Sequence, residues 1–234
     1  MLKWKQERNG ATALLIQGAR RVGKSTIAEE FARNEYTSYI LIDFSKVSKA
    51  VADLFDDVSD LNYLFLRLQF IYNVQLHERS SVIVFDEVQL QPKARQAIKH
   101  LVKDRRYDYI ETGSLISVRS KSRDILIPSE ETKINLYPMD FEEFRWALGD
   151  DATIPLLRAA FEKKMSLGDA VHRKLLRDFR LYRLGGGMPQ AVVAYIETNN
   201  FTEVDTVKRD IIALYEEDFG KIDSSGRAKA LYDA

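Results

Sequence analysis

The chain has 234 residues, with 35 Lys plus Arg against 35 Asp plus Glu, so its formal net charge is zero. This length suits one large domain or two small ones, and the balanced charge gives no global reason to expect a polyanionic partner. The sequence contains no cysteine, which excludes disulfides, zinc–thiolate sites, iron–sulfur clusters and cysteine nucleophiles.

The sequence shows neither a signal peptide nor a stretch that could span a membrane. The N-terminal residues Met1–Arg8 lack the apolar run of a signal peptide. The longest apolar stretch, Leu61–Leu76, is interrupted by several polar side chains and is too short to span a bilayer. We therefore expect a cytoplasmic protein without a membrane partner.

The first part of the chain alternates strand-like and helix-like patterns. Apolar runs predict strands at Ala13–Gln17, Tyr39–Asp43, Val82–Phe85, Tyr109–Thr112 and Lys133–Tyr137. The spacing of apolar residues predicts helices at Val22–Arg33 and Asp60–His77, and Pro92 opens a further helix. Such alternation is typical of an α/β fold with a parallel sheet covered on both faces.

The strand pattern disappears after Pro138. Asp140–Glu143 resembles a capping box at the start of a helix that ends at Gly149. Further helices are predicted at Pro155–Lys164, Asp169–Leu184, Gln190–Thr198 and Thr202–Phe219. We therefore predict two domains, an α/β core at residues 1–145 and a helical region at residues 146–234.

A phosphate-binding motif follows the first predicted strand. The segment from Gly18 to Ser25 matches G-x-x-x-x-G-K-[S/T] in full and leads into a predicted helix, as a P-loop requires. Its backbone amides would point at phosphates, Lys24 would reach the β- and γ-phosphates, and the Ser25 hydroxyl would ligate Mg²⁺. The predicted nucleotide-binding residues of this segment are Gly18, Ala19, Arg20, Arg21, Val22, Gly23, Lys24, Ser25 and Thr26.

Two carboxylates end the third predicted strand. Asp86 and Glu87 follow the apolar run Val82–Phe85, and at the carboxyl edge of a parallel sheet they would face the P-loop. Asp86 is the candidate Mg²⁺ ligand, and Glu87 is the candidate general base for water. A second carboxylate favours ATP hydrolysis over the simple kinase and small-GTPase classes, and no guanine-reading Asn/Thr-Lys-x-Asp motif is present.

The fourth predicted strand ends in small polar residues. Thr112 and Ser114 are candidates for a side chain that senses the γ-phosphate, and the alternative is a simple strand-to-turn signal. Gln89, just after the two carboxylates, is either a residue that orients water or nucleotide or an ordinary turn residue.

Together these motifs resemble a bacterial and archaeal family of AAA-type (AAA+) P-loop ATPases, whose members carry a C-terminal domain likened to restriction endonucleases. Tyr137–Phe144 is the most family-specific segment, since it is not a general P-loop feature. The matching segments are Gly18–Thr26, Phe85–Gln89, Glu111–Ser114, Leu136–Phe144 and Gly186–Pro189.

The resemblance implies a five-stranded parallel sheet in the order 5-1-4-3-2, followed by a helical lid. It also implies a further C-terminal domain that begins near the end of this chain, and it makes a homo-oligomer a possible partner. Gly186–Pro189 is similar to a lid motif in which the proline packs on adenine, so Pro189 is a candidate nucleotide contact. The alternative is a loop followed by a helix that starts at a proline.

Arginine and other basic residues give weaker signals. Arg119 and Arg123 are candidates for an arginine that acts on a neighbour's γ-phosphate, with a solvated position as the alternative. The helix region from Lys93 to Arg106 is basic and could contact nucleic acid, but Asp104 dilutes it and a solvated face is the alternative. The three histidines are scattered and form no metal pattern.

The sequence thus predicts an enzyme that binds Mg-ATP and hydrolyses it, with Mg²⁺ as cofactor and ATP or ADP as partner. Two other classes remain open at this level. One is a nucleotide-gated switch with slow turnover, and the other is the motor part of a nucleic-acid-processing factor.

Overall fold

The computed structural model describes residues 1–114 and 130–222, together with residues 227 and 230. The candidate arginines Arg119 and Arg123 lie outside these residues. The chain divides into two compact units, of which the first comprises Met1–Ala19 and Gly23–Leu136 and the second comprises Arg20–Val22 and Tyr137–Ala234.

A parallel five-stranded sheet forms the centre of the first unit. Its order is β2-β3-β4-β1-β5, which read from the β5 edge is the expected order 5-1-4-3-2. All four neighbouring pairs are parallel, so the carboxyl ends of the strands lie along one edge. The strands are β1 (Ala13–Gly18), β2 (Ser38–Asp43), β3 (Ser81–Asp86), β4 (Asp108–Ser114) and β5 (Glu131–Leu136).

Apolar side chains cover both faces of this sheet. Because successive side chains of a strand point to opposite faces, β3 contributes Ile83 and Phe85 to one core cluster and Val82 and Val84 to the other. The helices of this unit are α1 (Leu2–Arg8), α2 (Lys24–Glu35), α3 (Lys49–Ala52), α4 (Leu61–Tyr72) and α5 (Pro92–Asp104). The α2 helix lies on the Val82 face, and α4 and α5 lie on the Phe85 face.

Local backbone conformation accounts for the differences from the predicted helices. The predicted helix Asp60–His77 was too long, because Asn73 adopts a left-handed conformation and ends α4 at Tyr72. Likewise α2 begins at Lys24 rather than at Val22, because Gly23 is left-handed, with φ 95°. Helices α1 and α3 have no counterpart among the predicted elements, because they are too short to show a clear periodicity.

The second unit is helical over its described residues. Asp140 and Glu143 form the expected capping box, and none of the helices in the described part of the chain is long and apolar enough to cross a lipid bilayer. Arg145 is buried and donates to Asp178 at 2.7 Å. The helices are α6 (Phe141–Ala147), α7 (Thr153–Glu162), α8 (Gly168–Gly185), α9 (Pro189–Thr198) and α10 (Phe201–Ile222).

The Gly186–Pro189 loop lies against the Tyr137–Phe144 segment within the second unit. The Met139 amide donates to the Gly187 carbonyl at 2.7 Å, and the Tyr182 hydroxyl donates to the Met139 carbonyl at 2.9 Å. A Cβ at position 187 would lie 2.1 Å from the Met139 carbonyl oxygen. Glycine at this position is therefore required by close backbone approach.

This contact predicts different effects for two neighbouring glycine substitutions. Gly187→Ala should destabilise the second unit by about 2 kcal/mol or more, through overpacking and loss of a backbone hydrogen bond. Gly185→Ala is the matched control, since its Cβ would meet nothing within 4 Å and it ends a helix, where alanine is favoured. Urea denaturation followed by circular dichroism measures both, and an equal effect of the two changes would contradict this interpretation.

Candidate nucleotide-binding site

The predicted site residues of the first unit gather at the carboxyl edge of the sheet. In the paired strands, Gly18 lies opposite Ser114, and Ile16 lies opposite Thr112. β3 lies on the other side of β4, so Asp86 ends at the same edge. The topology therefore places the ends of β1, β3 and β4 side by side, where open α/β sheets bind ligands.

The P-loop connects the end of β1 to the start of α2. Arg21 and Gly23 adopt left-handed conformations, with φ of 62° and 95°. These turns bring the chain around to the first residue of α2, Lys24. The N-terminus of a helix carries a partial positive charge and unsatisfied amides, and the first turn of α2 contains no acidic side chain to occupy them.

The Lys24 side chain is folded into the loop. It is 5% exposed, and its Nζ donates to the carbonyl oxygens of Ala19 at 2.8 Å and Gly18 at 3.3 Å. A buried ammonium is costly unless hydrogen-bond acceptors surround it, and the loop carbonyls supply them. The loop conformation thus holds the cation beside the amides that would receive an anion.

Asp86 joins the P-loop helix to two strands. Its Oδ1 accepts hydrogen bonds from the Ser25 hydroxyl of α2 at 2.7 Å and from the Thr112 hydroxyl of β4. The same Thr112 oxygen accepts from the Glu87 amide at 3.2 Å. The predicted metal ligands Ser25 and Asp86 are therefore in direct contact, and Thr112 lies with them.

The donor set around Asp86 fits magnesium. Mg²⁺ prefers oxygen ligands, takes one or two from protein side chains and keeps the rest from water and phosphates. Ser25 and Asp86 offer a hydroxyl and a carboxylate at hydrogen-bond distance from each other. The described residues contain no group of three or more His, Asp or Glu side chains arranged to hold a metal, so the site would draw its other ligands from phosphate and water.

Glu87 has a strained backbone and a tethered side chain. Its φ of 54° and ψ of 44° are left-handed, a conformation that costs a non-glycine residue roughly 1–2 kcal/mol. Its amide donates to Thr112, and its carboxylate Oε2 accepts from the Gln89 side-chain amide. The sequence left the role of Gln89 open, and the structure places its amide on the candidate base.

Arg20–Val22, at the tip of the P-loop, cluster with the second unit. The Tyr215 hydroxyl donates to the Arg20 carbonyl at 3.0 Å, and the Arg20 guanidinium pairs with Asp218 at 3.0 Å. Tyr215 and Asp218 lie nearly the full chain length from Arg20, so no local pattern could have indicated them.

Two further predicted residues, Ser114 and Pro189, lie at the ends of their elements. Ser114 ends β4 and is 6% exposed. Pro189 begins α9 in the second unit, directly after the loop that contacts Met139.

The basic stretch on α5 is partly internal. Arg95 is 3% exposed and lies 3.4 Å from Glu131 of β5, while Lys93 pairs with Asp56 at 3.0 Å. The expectation that the whole stretch could face nucleic acid is therefore wrong for Arg95. This arginine is held inside the core by the need to pair a buried carboxylate.

Glu111 shows how β4 divides its side chains between two environments. It is fully buried on the face opposite Thr112, and neither carboxylate oxygen has a hydrogen-bond partner in the described part of the chain. Burial, with the nearby Glu131 charge, raises the pKa of Glu111 well above its usual value. The neutral form of the Glu111 carboxyl group is therefore favoured, and the residue belongs to the core and not to the site.

Comparisons with known proteins find a family model and solved structures that resemble the chain. No protein of curated function matches the chain. A solved structure of PCH-2 from C. elegans is similar to it over 89% of the chain, with 11% sequence identity and a TM-score of 0.44. The chain spans 63% of the length of that structure. The family described as AAA domain matches residues 10–145, which is more than half of the chain. The chain therefore belongs to the AAA domain family.

Proposed function

We propose that this chain binds ATP with Mg²⁺ and hydrolyses it to ADP and phosphate. One observation carries the proposal: the hydroxyls of Ser25 and Thr112 both donate to Asp86, with Glu87 next in the chain. A P-loop, a metal-type carboxylate and a second carboxylate therefore come together at one sheet edge. Membership of the AAA domain family supports the same activity.

In this proposal the P-loop binds the phosphates. The amides of Gly18–Thr26 and the N-terminus of α2 surround the phosphate oxygens, as in other glycine-rich loops at helix starts. Lys24 moves from the carbonyls that now hold it to the β- and γ-phosphates, exchanging neutral acceptors for charged ones.

Ser25 and Asp86 would hold Mg²⁺, which supplies positive charge that neutralises the phosphate oxygens during the reaction. With the ion bound, the Asp86 carboxylate would face the cation in place of the hydroxyl donors that it accepts from here. Thr112 then becomes available to the γ-phosphate, and Ser114, at the end of the same strand, is the second candidate for that contact.

Glu87 acts on the attacking water. The water oxygen forms a bond to the γ-phosphorus while the bond to the bridging oxygen breaks. ADP leaves with that electron pair, and the water proton passes to the Glu87 carboxylate. The left-handed backbone of Glu87 turns this residue out of the strand direction that Asp86 follows. The two adjacent carboxylates can therefore act separately, Asp86 on the metal and Glu87 on the water.

We extend the proposal to the second unit on the resemblance of its motifs. Residues 146–234 would act as a helical lid on the core at 1–145, with the Pro189 ring on the adenine. The same resemblance is the ground for proposing a bacterial or archaeal origin, a further C-terminal domain and assembly into a homo-oligomer. A cytoplasmic location is proposed because the sequence shows neither a signal peptide nor a stretch that could span a membrane. Within the second unit Gly187 joins the glycine loop to the Met139 backbone, so a nucleotide at Pro189 would be bound next to a fixed backbone contact.

The first functional prediction concerns Lys24. Replacing it by alanine should weaken Mg-ATP binding by roughly tenfold or more, in line with ~1.5–3 kcal/mol for hydrogen bonds to charged groups. Titration calorimetry measures the affinity, and Lys3→Ala is a control because this exposed lysine of α1 pairs with Glu7 one helical turn away. Unchanged affinity in Lys24→Ala would refute the P-loop assignment.

The second functional prediction separates the two carboxylates. Glu87→Gln should keep ATP affinity and lower turnover by roughly 10²-fold, as loss of a general base does. Asp86→Asn should weaken the magnesium dependence of binding instead. A phosphate-release assay and calorimetry together decide, and the opposite pattern in the two variants would show that the roles are exchanged.

The third concerns the lid. If Pro189 contacts the base, ADP should slow hydrogen exchange at residues 180–195 by roughly tenfold or more, since an ordered segment must open before it exchanges. The α5 helix should be unaffected, and Lys24→Ala should abolish the slowing. Exchange that is insensitive to nucleotide would reduce the glycines to a linker between helices.

A further inference from the structure

The side chain of Gln89 is buried beside the proposed catalytic carboxylate. It belongs to a short 3-10 helix, Val88–Leu90, that begins directly after Glu87. Gln89 is 7% exposed, and its Nε2 donates a hydrogen bond to Glu87 Oε2. The other end of the amide, Oε1, is buried and accepts no hydrogen bond in the described part of the chain.

The backbone of Glu87 is already held at both of its polar groups. Its amide donates to the Thr112 hydroxyl at 3.2 Å, and its carbonyl accepts from the Leu90 amide at 2.9 Å. The left-handed backbone conformation therefore cannot relax without breaking these bonds. These backbone bonds do not fix the side-chain torsions of Glu87, which set the position of its carboxylate. The hydrogen bond from the Gln89 amide restrains those torsions.

The Glu87 carboxylate explains why position 89 holds a glutamine and not an apolar residue. A buried acceptor without a partner is destabilising, and an apolar side chain of similar length would avoid that cost. The donor half of the Gln89 amide offsets this cost through a charge-assisted hydrogen bond to Glu87.

We propose that Gln89 is a positioning residue for ATP hydrolysis, which fixes the Glu87 carboxylate so that one oxygen faces the attacking water. The amide occupies Oε2, and Oε1 is the oxygen that takes the proton. This inference rests on the hydrolytic function proposed above. Because Gln89 acts through Glu87 and not on the nucleotide, its loss should change turnover and leave ATP affinity alone.

The test is a double-mutant cycle with Gln89→Met, which keeps the length of the side chain and removes the donor. In the wild-type background it should lower kcat by roughly tenfold with unchanged ATP affinity, as misplacement of a catalytic group does. In a Glu87→Gln background it should cause no further loss, because its target is already gone. Phosphate release and calorimetry with Mg-ATP provide the two readouts.

Gln91→Met is the matched control. It removes the same amide two residues later, where Nε2 donates to the Ala52 carbonyl at 2.9 Å rather than to Glu87. Its kcat should match that of the wild type. Gln89→Asn is a second test variant, which keeps a buried amide but is one methylene too short to hold Oε2, and it should lower kcat in the same way.

The outcomes separate this inference from the function on which it rests. If the wild type is no faster than Glu87→Gln, the hydrolytic proposal fails. If the wild type is active but Gln89→Met keeps full kcat, or loses the same factor in both backgrounds, only the positioning role fails. A loss of ATP affinity, or failure of both Gln89 variants to fold, would make Gln89 a structural residue and overturn the inference.

Discussion

Asp86 accepts hydrogen bonds from hydroxyls that belong to two other elements, Ser25 at the start of α2 and Thr112 near the end of β4. Three segments that are distant in the sequence are therefore tied at one carboxylate. A carboxylate at the end of a buried strand is costly without such donors, so the position depends on both partners being present. The Thr112 oxygen also accepts from the Glu87 amide, which carries the same network to the candidate base.

This arrangement is possible because the faces of the sheet are apolar, whereas its carboxyl edge holds polar side chains. The strands are packed on both faces by apolar side chains, which gives the rigid platform that a preorganised site requires. Polar groups occur at the carboxyl edge, where Lys24, Asp86 and Thr112 are buried and hydrogen-bonded. Arg95 and Glu131 show the alternative solution deep in the core, where a buried charge is retained only beside its counterpart.

In the second unit, contacts to the backbone join segments that are distant in the sequence. The Met139 amide and carbonyl are bound by Gly187 and Tyr182, and no side chain fits between Gly187 and Met139. The segments Tyr137–Phe144 and Gly186–Pro189 stood out separately in the sequence. Their contact explains the glycine at position 187, where a side chain would collide with the Met139 backbone.

The sequence by itself determined the class of the fold, the five strands and the residues of the P-loop and of the Asp86–Glu87 pair. It could do so because these features are local: apolar runs define buried strands, and a phosphate loop needs glycines at fixed spacing before a helix. It also placed the capping box at Asp140 correctly, for the same reason.

Only the tertiary structure decided the interactions between distant residues. Helix α4 ends at Tyr72 because Asn73 turns the backbone, although the apolar pattern continues beyond it. The hydrogen bonds to Asp86, the burial of Arg95 and the contacts of Arg20 with Tyr215 and Asp218 depend on which elements become neighbours. The role of Gln89 was open in the sequence, since a polar residue after a strand serves a turn or a partner equally well. The structure places the Gln89 side chain in a buried position with its amide donating to the Glu87 carboxylate, a contact that depends on how the chain turns after β3.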